Sequence, residues 1–507
     1  MKKLVLAIVC GAAVVAAALI PSGPPVEAAA PGFGSAVSAI KQTSWQTNNS
    51  VNAVAIAGNT VFAGGLFTRI RPPGKPSGQG EVMRTYVAAF NRTTGAPTSF
   101  APSLNGPVYS IATSPDGKWV VIGGDFTMAN GLRRSKIAMY SVATGRIVQA
   151  WDPVVAARVK AIAISGSTVY FGGAFGKVDG VVRNRLAGVR LLYGDLTTWN
   201  PNANNDVYAI DTSDDGTRVF VGGPFSTING KDHYSLAMVN TTTGAAYSMP
   251  AAAAIPKPTA TCTTRVKDID TLGTKVFVSN GGDGGGCYDG VLAADSSTGK
   301  LLWQNKCLGA TEAIKAIGNW VYKGSHAHNC SSSGGFNDGT GTHYLLVESG
   351  INGKLGPWYP NTDANPNSTT KVGPLAMAGT ATDLWVGGDF LHVNGTIQQG
   401  LTRFTNTPGG AYPAKPKAPV LSSTTANQVR VAFNDVYDVD NLTLTYNVFR
   451  GSTNVGSYKF VSYYWEPRKL YSMVDNGVKS GQTVTYHIEV HDGRNIVKGP
   501  SVSIKVK

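Results

Sequence analysis

The sequence predicts an all-β chain: a seven-bladed β-propeller closed by an N-terminal strand, followed by a small β-sandwich. Three observations predict it. A Gly-Gly-x-Phe motif recurs along most of the chain. Glycine is abundant, at 61 residues, while charged residues make up only 15%. Short runs rich in Val, Ile, Thr and Tyr alternate with turn residues, and long amphipathic helical patterns are absent. Together these are the marks of antiparallel β structure with many turns.

The repeat comes first. It reads Gly64-Gly65-Leu66-Phe67, Gly123-Gly124-Asp125-Phe126, Gly172-Gly173-Ala174-Phe175, Gly222-Gly223-Pro224-Phe225 and Gly387-Gly388-Asp389-Phe390. An apolar strand precedes each motif, and another strand precedes that one. Asp-Gly turns such as Asp116-Gly117 and Asp215-Gly216 join two of these pairs, because glycine accepts the positive φ of a tight hairpin. An Asn-Gly or Asp-Gly turn and a third strand follow, then a fourth strand ending in an aromatic, as at Phe100, Trp151, Trp199 and Trp303. Gly281-Gly282-Asp283 and Gly324-Ser325-His326 keep the place of the motif without its full form. Seven landmarks at intervals of 43 to 63 residues give seven four-stranded blades. The last repeat lacks a fourth strand, and Ser44-Trp45-Gln46 matches the end-of-blade pattern. The spacing therefore predicts closure by the N-terminal strand, which leaves no open sheet edge.

The Gly-Gly-Asp-Phe-Thr…Asn-Gly…Arg…Ile-Ala pattern at 123–138 resembles the delta-60 repeat propellers. The resemblance runs from about 45 to 405, and is weakest in the fifth and sixth repeats. It implies a propeller at the cell surface or outside the cell, and it brings no catalytic residues with it. Beyond a Pro-rich linker at 406–418, residues 419–507 hold short alternating strands at the spacing of a sandwich. Leu444 to Arg450 and Val484 to Val490 resemble the fibronectin type III pattern. That resemblance places a tyrosine corner at Tyr486, and Phe433 stands where the family usually has tryptophan.

The chain opens with Met1-Lys2-Lys3, an uncharged apolar run from Leu4 to Ile20, and Val26-Glu27-Ala28. These are the parts of a bacterial-type secretory signal peptide, residues 1–28, cut after Ala28 and leaving no stable membrane span. Cys10 leaves with it. Cys262, Cys287, Cys307 and Cys330 remain, an even number in an exported chain, which reads as disulfides. Cys262 and Cys287 flank the first two strands of the fifth repeat, and Cys307 and Cys330 hold the same places in the sixth. The expected pairs are therefore Cys262–Cys287 and Cys307–Cys330. The net charge of +14 falls by only one on cleavage, as Lys2, Lys3 and Glu27 leave. A basic surface fits an anionic cell-wall polymer, a polysaccharide or an extracellular protein as partner. Nucleic acid is excluded by compartment and by the lack of a dense Lys/Arg cluster.

No catalytic motif stands out, and no cofactor is expected. Gly-x-Ser-x-Gly is absent, and the Gly-Gly-x-Phe sites lack the following helix that a phosphate loop needs. The catalytic candidates are His326, His328, Asp283 and Glu312, with His343 and Asp338 in the same region. His-x-His can put two rings on one side of a strand, which together with a carboxylate suits acid–base or metal chemistry. Asp435, Asp438 and Asp440 match no defensible calcium-loop spacing and are expected as solvated turn carboxylates. The primary expectation is a non-enzymatic, exported binding or scaffold protein that recognises its ligand on one propeller face. The alternative is a polysaccharide hydrolase or lyase with its site in the propeller mouth.

Overall fold

The computed structural model describes residues 18–19, 36–282, 287–337, 341–368, 371–406 and 410–507. Apart from Ala18–Leu19, the expected signal peptide lies outside them. The described chain is all-β, built of many small antiparallel sheets, and divides into two compact units at Gly410/Ala411.

The first unit holds seven repeat sheets. Their first strands are Val51–Ala57, Val108–Thr113, Val159–Ser165, Ala209–Thr212, Arg265–Leu272, Thr311–Ile317 and Gly373–Gly379. Each pairs with a second strand, which pairs with a third. The first strand of each sheet touches the first strand of the next, and that of the seventh touches that of the first.

The packing explains the repeat motif. Side chains alternate across a strand, and each middle strand feeds a core on either side. Val120 and Ile122 enter one cluster while Val121 enters the next. Val219 and Val221 likewise part from Phe220. A strand buried on both faces must be apolar throughout, hence runs such as Trp119 to Ile122. In the five full Gly-Gly-x-Phe motifs the first glycine receives a valine from the following sheet, the seventh being followed by the first. A Cβ at Gly123 would stand 2.6 Å from Val159 Cγ1, and one at Gly387 would stand 2.5 Å from Val51 Cγ1. The second glycine lies against main chain, as a Cβ at Gly124 would be 2.1 Å from the carbonyl oxygen of Pro107. The motif phenylalanines Phe67, Phe126, Phe175, Phe225 and Phe390 are wholly buried.

Two expectations need correction. The N-terminal segment that pairs with the seventh sheet is Lys41–Gln42, against Phe404 and Arg403. Ser44-Trp45-Gln46 does not take that place, and Gln46–Thr47 pairs instead with Ile70 and Arg71. Fourth strands are mostly vestigial. Only Leu301–Lys306 is long, and in four sheets the fourth strand shrinks to single bridges such as Tyr140↔Ile147 and Val189↔Leu196. The aromatics that follow act as ties between sheets: Trp151 Nε1 donates to Arg190 O and Trp199 Nε1 to Asn240 O, each on the following sheet.

The second unit has two sheets. One orders Val420–Ser422, Val429–Asn434 and Leu470–Asp475 antiparallel, with Ala18–Leu19 beside the last in parallel; the other, antiparallel, orders Thr453–Val461, Thr443–Arg450, Thr483–His491 and Ile496–Lys498, with Val502–Lys505 also on Thr483–His491. Val429, Val431 and Phe433 share one core with Leu444, Tyr446, Val448 and Ile488. The Tyr486 hydroxyl donates to the Asp475 side chain at 2.7 Å, rather than to backbone. The hydroxyl-to-backbone link is made by Tyr446, which donates to Val436 O and accepts from Val436 N.

Candidate binding site where the seven first strands meet

A cavity of about 180 Å³ is lined by residues from the first strands of all seven sheets. Its floor is small-residue-rich: Ala53, Ser110, Ala161, Ala209 and Ala376 come from five sheets, and the fifth contributes Asp268. Its walls are set by one repeated irregularity. In six sheets the register between first and second strands slips by a residue, opposite the glycine pair in four of them, opposite Ser279 and Asn280 in the fifth and opposite Gly324 and Ser325 in the sixth. Such a bulge leaves one residue unpaired and re-aims its side chain. The bulged residues are Asn52, Tyr109, Lys160, Lys267, Glu312 and Leu375, with Tyr208 in the same place on the fourth sheet, and all seven line the cavity.

Cations and tyrosine faces dominate this ring. Arg158 lies over the Tyr109 ring at 4.8 Å, Lys160 over the Tyr208 ring at 4.3 Å, and Arg265 over Tyr208 at 5.8 Å. Arg158 and Lys136 share Asp125, at 2.7 and 2.9 Å. Lys160 bonds Asp206 at 2.9 Å, and Arg185 stands 3.6 Å from it. Lys267 spans both Glu312 oxygens, at 3.0 and 3.1 Å. Lys160 and Lys267 thus line the cavity together with Glu312 and Asp268, and Arg158, Lys136 and Arg185 pair with Asp125 and Asp206 around it. Burial acts to raise Asp125, but Arg158 and Lys136 outweigh it and hold that carboxyl below its usual range. Lys136 and Arg185 reach inward from backbone at positive φ, 72° and 66°, a conformation costly for a side-chain-bearing residue.

Deeper along the same strands the character changes. Asp268 accepts from the amides of Ile269 and Ile314, Asp270 pairs with Lys315, and Asp211 accepts from Thr271. Asp211, Asp268 and Asp270 are each half-buried. Burial, joined by the charge of Asp270, pushes Asp268 up to about 7 and Asp211 up to about 6. Burial opposes the Lys315 charge, and Asp270 overcomes it and keeps the ammonium protonated.

These shifts set a pH dependence. Asp268 titrates near 3.8 when unfolded and at about 7 in the fold. Between those values the native state holds more protons than the unfolded state. Its contribution to stability therefore falls as pH rises from about 4 to 7, and is constant above. Asp268→Asn should gain on the wild type across that window, as read by denaturant unfolding at several pH values. A difference that does not change with pH would contradict a protonated, buried Asp268.

Of the sequence-derived candidates, one belongs to this cavity. Glu312 lines it, but its carboxylate is held by Lys267. His326 is half-buried on Trp320–Ala327. Burial lowers its pKa, with Glu312 and Asp289 opposing, and its Nδ1 is buried without a hydrogen-bond partner. His328 is half-buried, and its amide donates to Leu308 O at 2.9 Å. No hydrogen bond among the described residues joins His326 to Glu312. Asp283 and Asp338 lie outside the described residues. His343 is buried against Phe336, with ring centroids 3.8 Å apart. The structure pairs Cys262 with Cys287 and Cys307 with Cys330, in the fifth and sixth sheets that also supply Lys267 and Glu312.

Sequence reasoning passed over Tyr109, Lys160, Tyr208 and Lys267. A signal was present, for each sits second in a Val-x-(Ala/Ser/Asp)-Ile series: Val108-Tyr109-Ser110-Ile111, Val159-Lys160-Ala161-Ile162, Val207-Tyr208-Ala209-Ile210 and Val266-Lys267-Asp268-Ile269. Among the described residues, no group of three or more His, Cys, Asp or Glu is set to hold a metal ion, and no helix is long and apolar enough to cross a membrane. No protein-family model matches the chain, and no curated protein matches it.

Proposed function

We propose that this chain is an exported or cell-surface binding protein whose central cavity recognises an anionic polymer. The observation that carries the reading is the ring of bulged residues, which sets Lys160 and Lys267 beside the faces of Tyr109 and Tyr208 in one cavity. Guanidinium and ammonium groups bind carboxylate or phosphate, and tyrosine faces suit sugar rings. In this reading the seven sheets are blades of a delta-60-type β-propeller. Support comes from the unbroken series of first-strand contacts, from the glycine–valine fit that continues from seventh sheet to first, and from the pairing of Lys41–Gln42 with the last sheet. The second unit is a fibronectin type III-like spacer or adhesive module.

The test is equilibrium binding of the mature protein to polygalacturonate, teichoic acid and a neutral glucan. Saturable binding to the anionic polymers is expected, weakening with salt as exposed charges are screened. Lys160→Ala/Lys267→Ala should lower affinity at least ~10-fold, since each lost charge-assisted contact is worth about 1.5–3 kcal/mol. Equal binding of the neutral glucan, or an unchanged affinity in the double variant, would defeat the reading.

The hydrolase or lyase alternative has one observation in its favour, the proton that Asp268 holds at the cavity floor up to about pH 7. Its expected partner, Glu312, is tied to Lys267. Shortening of the bound polymer by the wild type but not by Asp268→Asn would favour it.

A further inference from the structure

Three aspartates of the second unit are buried, against the expectation of solvated turn carboxylates. Asp435, Asp438 and Asp440 are 2%, 2% and 3% exposed. Asp435 is accounted for: Ser462 Oγ donates to it at 2.6 Å and the Lys469 amide at 2.7 Å. Asp438 is not. Its Oδ1 accepts from the Asp440 amide at 2.9 Å, while its Oδ2 is fully buried with no hydrogen-bond partner. No cationic side chain pairs with it among the described residues. Leaving a buried carboxylate oxygen unsatisfied is costly.

Its surroundings make the cost larger. The carboxylate of Asp440, and more distantly that of Asp492, add negative charge beside it. Asp440 Oδ2 accepts from the amide of Ala411, the first residue of the unit, at 2.9 Å. Asp440 Oδ1 accepts from Asn441 Nδ2 at 2.9 Å. Asp492 is held by its own turn, accepting from the amides of Arg494 and Asn495 at 2.7 and 2.6 Å. Asn495 Nδ2 also donates to Ala411 O at 3.1 Å, so the 435–441 loop, the 492–495 turn and the start of the unit meet in one place. The acidic side chains named there offer only carboxylate oxygens.

We propose that this junction is a calcium site, in which Asp438 and Asp440 supply carboxylate oxygens, neighbouring carbonyl and amide oxygens complete the shell, and Asp492 adds negative charge from outside it. Oxygen-only donors on irregular loops suit a large hard cation better than zinc or copper, and the loose geometry suits calcium better than magnesium. Two carboxylates rather than three make it a weak site, in the class of about 10⁻⁴–10⁻³ M found in extracellular modules. A cation there would tie the start of the unit to its sandwich.

The rival is a proton shared between Asp438 and Asp440. Calorimetric titration of the EDTA-stripped mature chain with CaCl₂ and with MgCl₂ separates the two. The second-unit melting transition should be followed in parallel for wild type, Asp438→Asn and Asp492→Asn. The proposal expects saturable calcium binding near millimolar and a rise of a few degrees in the wild-type transition. Magnesium should give less, Asp438→Asn no response, and Asp492→Asn a weakened one. No calcium binding by the wild type would overturn it. So would an equal calcium response in Asp438→Asn, or an Asp438→Asn protein that melts at or above wild type while neither responds to calcium.

Discussion

Lys323→Met is expected to destabilise the first unit by about 3–5 kcal/mol, the range for removing one partner of a buried ion pair. Lys323 and Glu348 lie on adjacent strands of the sixth sheet, paired, with neither side chain exposed at all. Burial raises the Glu348 carboxyl, and the Lys323 ammonium is what opposes that rise. Among the described residues the second Glu348 oxygen, Oε2, has no hydrogen-bond partner, so no other side chain there offsets the charge once the lysine is gone. The pair itself is not thereby worth several kcal/mol, because both ions lost their water when buried. Lys323→Met/Glu348→Leu should therefore recover most of the loss. Calorimetric melting of the first-unit transition reads both variants. A single variant as stable as wild type, or a double variant no better than the single, would show that the pair is not buried as described.

Gly173→Ala is expected to cost about 3 kcal/mol, the upper end for overpacking a filled interior. The new Cβ would stand 2.1 Å from the carbonyl oxygen of Arg158 and 3.0 Å from Val159 Cα. Both are main-chain atoms at the start of the third sheet's first strand, Arg158 just before it and Val159 its first residue, so no side-chain rotation relieves the clash. Gly131→Ala is the control: its φ is +76°, and a Cβ there meets nothing within 4 Å. It should cost only about 1–2 kcal/mol, for the left-handed backbone alone. Arg158 and Lys160 belong to the strand that must shift, so Gly173→Ala should also weaken polymer binding at temperatures where the protein is folded. Equal losses for the two alanine variants in denaturant unfolding would mean the glycine pair serves chain flexibility rather than close packing.

Much of the first unit was legible because the close approach of neighbouring sheets leaves room only for glycine, and only a buried ring suits the position after it. That demand is repeated, so it prints a motif. The fifth and sixth repeats print it faintly because the contacts change: Gly281 meets Ala310 and Gly324 meets Pro374, where the others meet valine. Two-residue pairings such as Lys41–Gln42 carry almost no periodic signal, and the aromatic at Trp45 pointed to the wrong segment. The cavity residues were harder to read for a different reason. A bulge breaks the alternation that marks facing residues, so Lys160 and Lys267 looked like ordinary surface lysines on a strand. His326 and His328 drew attention as titratable side chains, though the density of charge lies on the strands before them. In the second unit, polar residues between strands suggested solvated turns. Burial of Asp435, Asp438 and Asp440 depends on Ser462, Lys469 and Ala411, which are remote in sequence or precede the sandwich.

The central claim is that the cavity ringed by Tyr109, Lys160, Tyr208 and Lys267 is where the polymer binds. Amide hydrogen exchange of the full mature chain, with and without polygalacturonate, tests it most directly. Slowed exchange around 108–110, 158–160, 206–208 and 265–267, lost in Lys160→Ala/Lys267→Ala, is the predicted result. Protection confined to other surfaces, with those four segments unchanged, would contradict it.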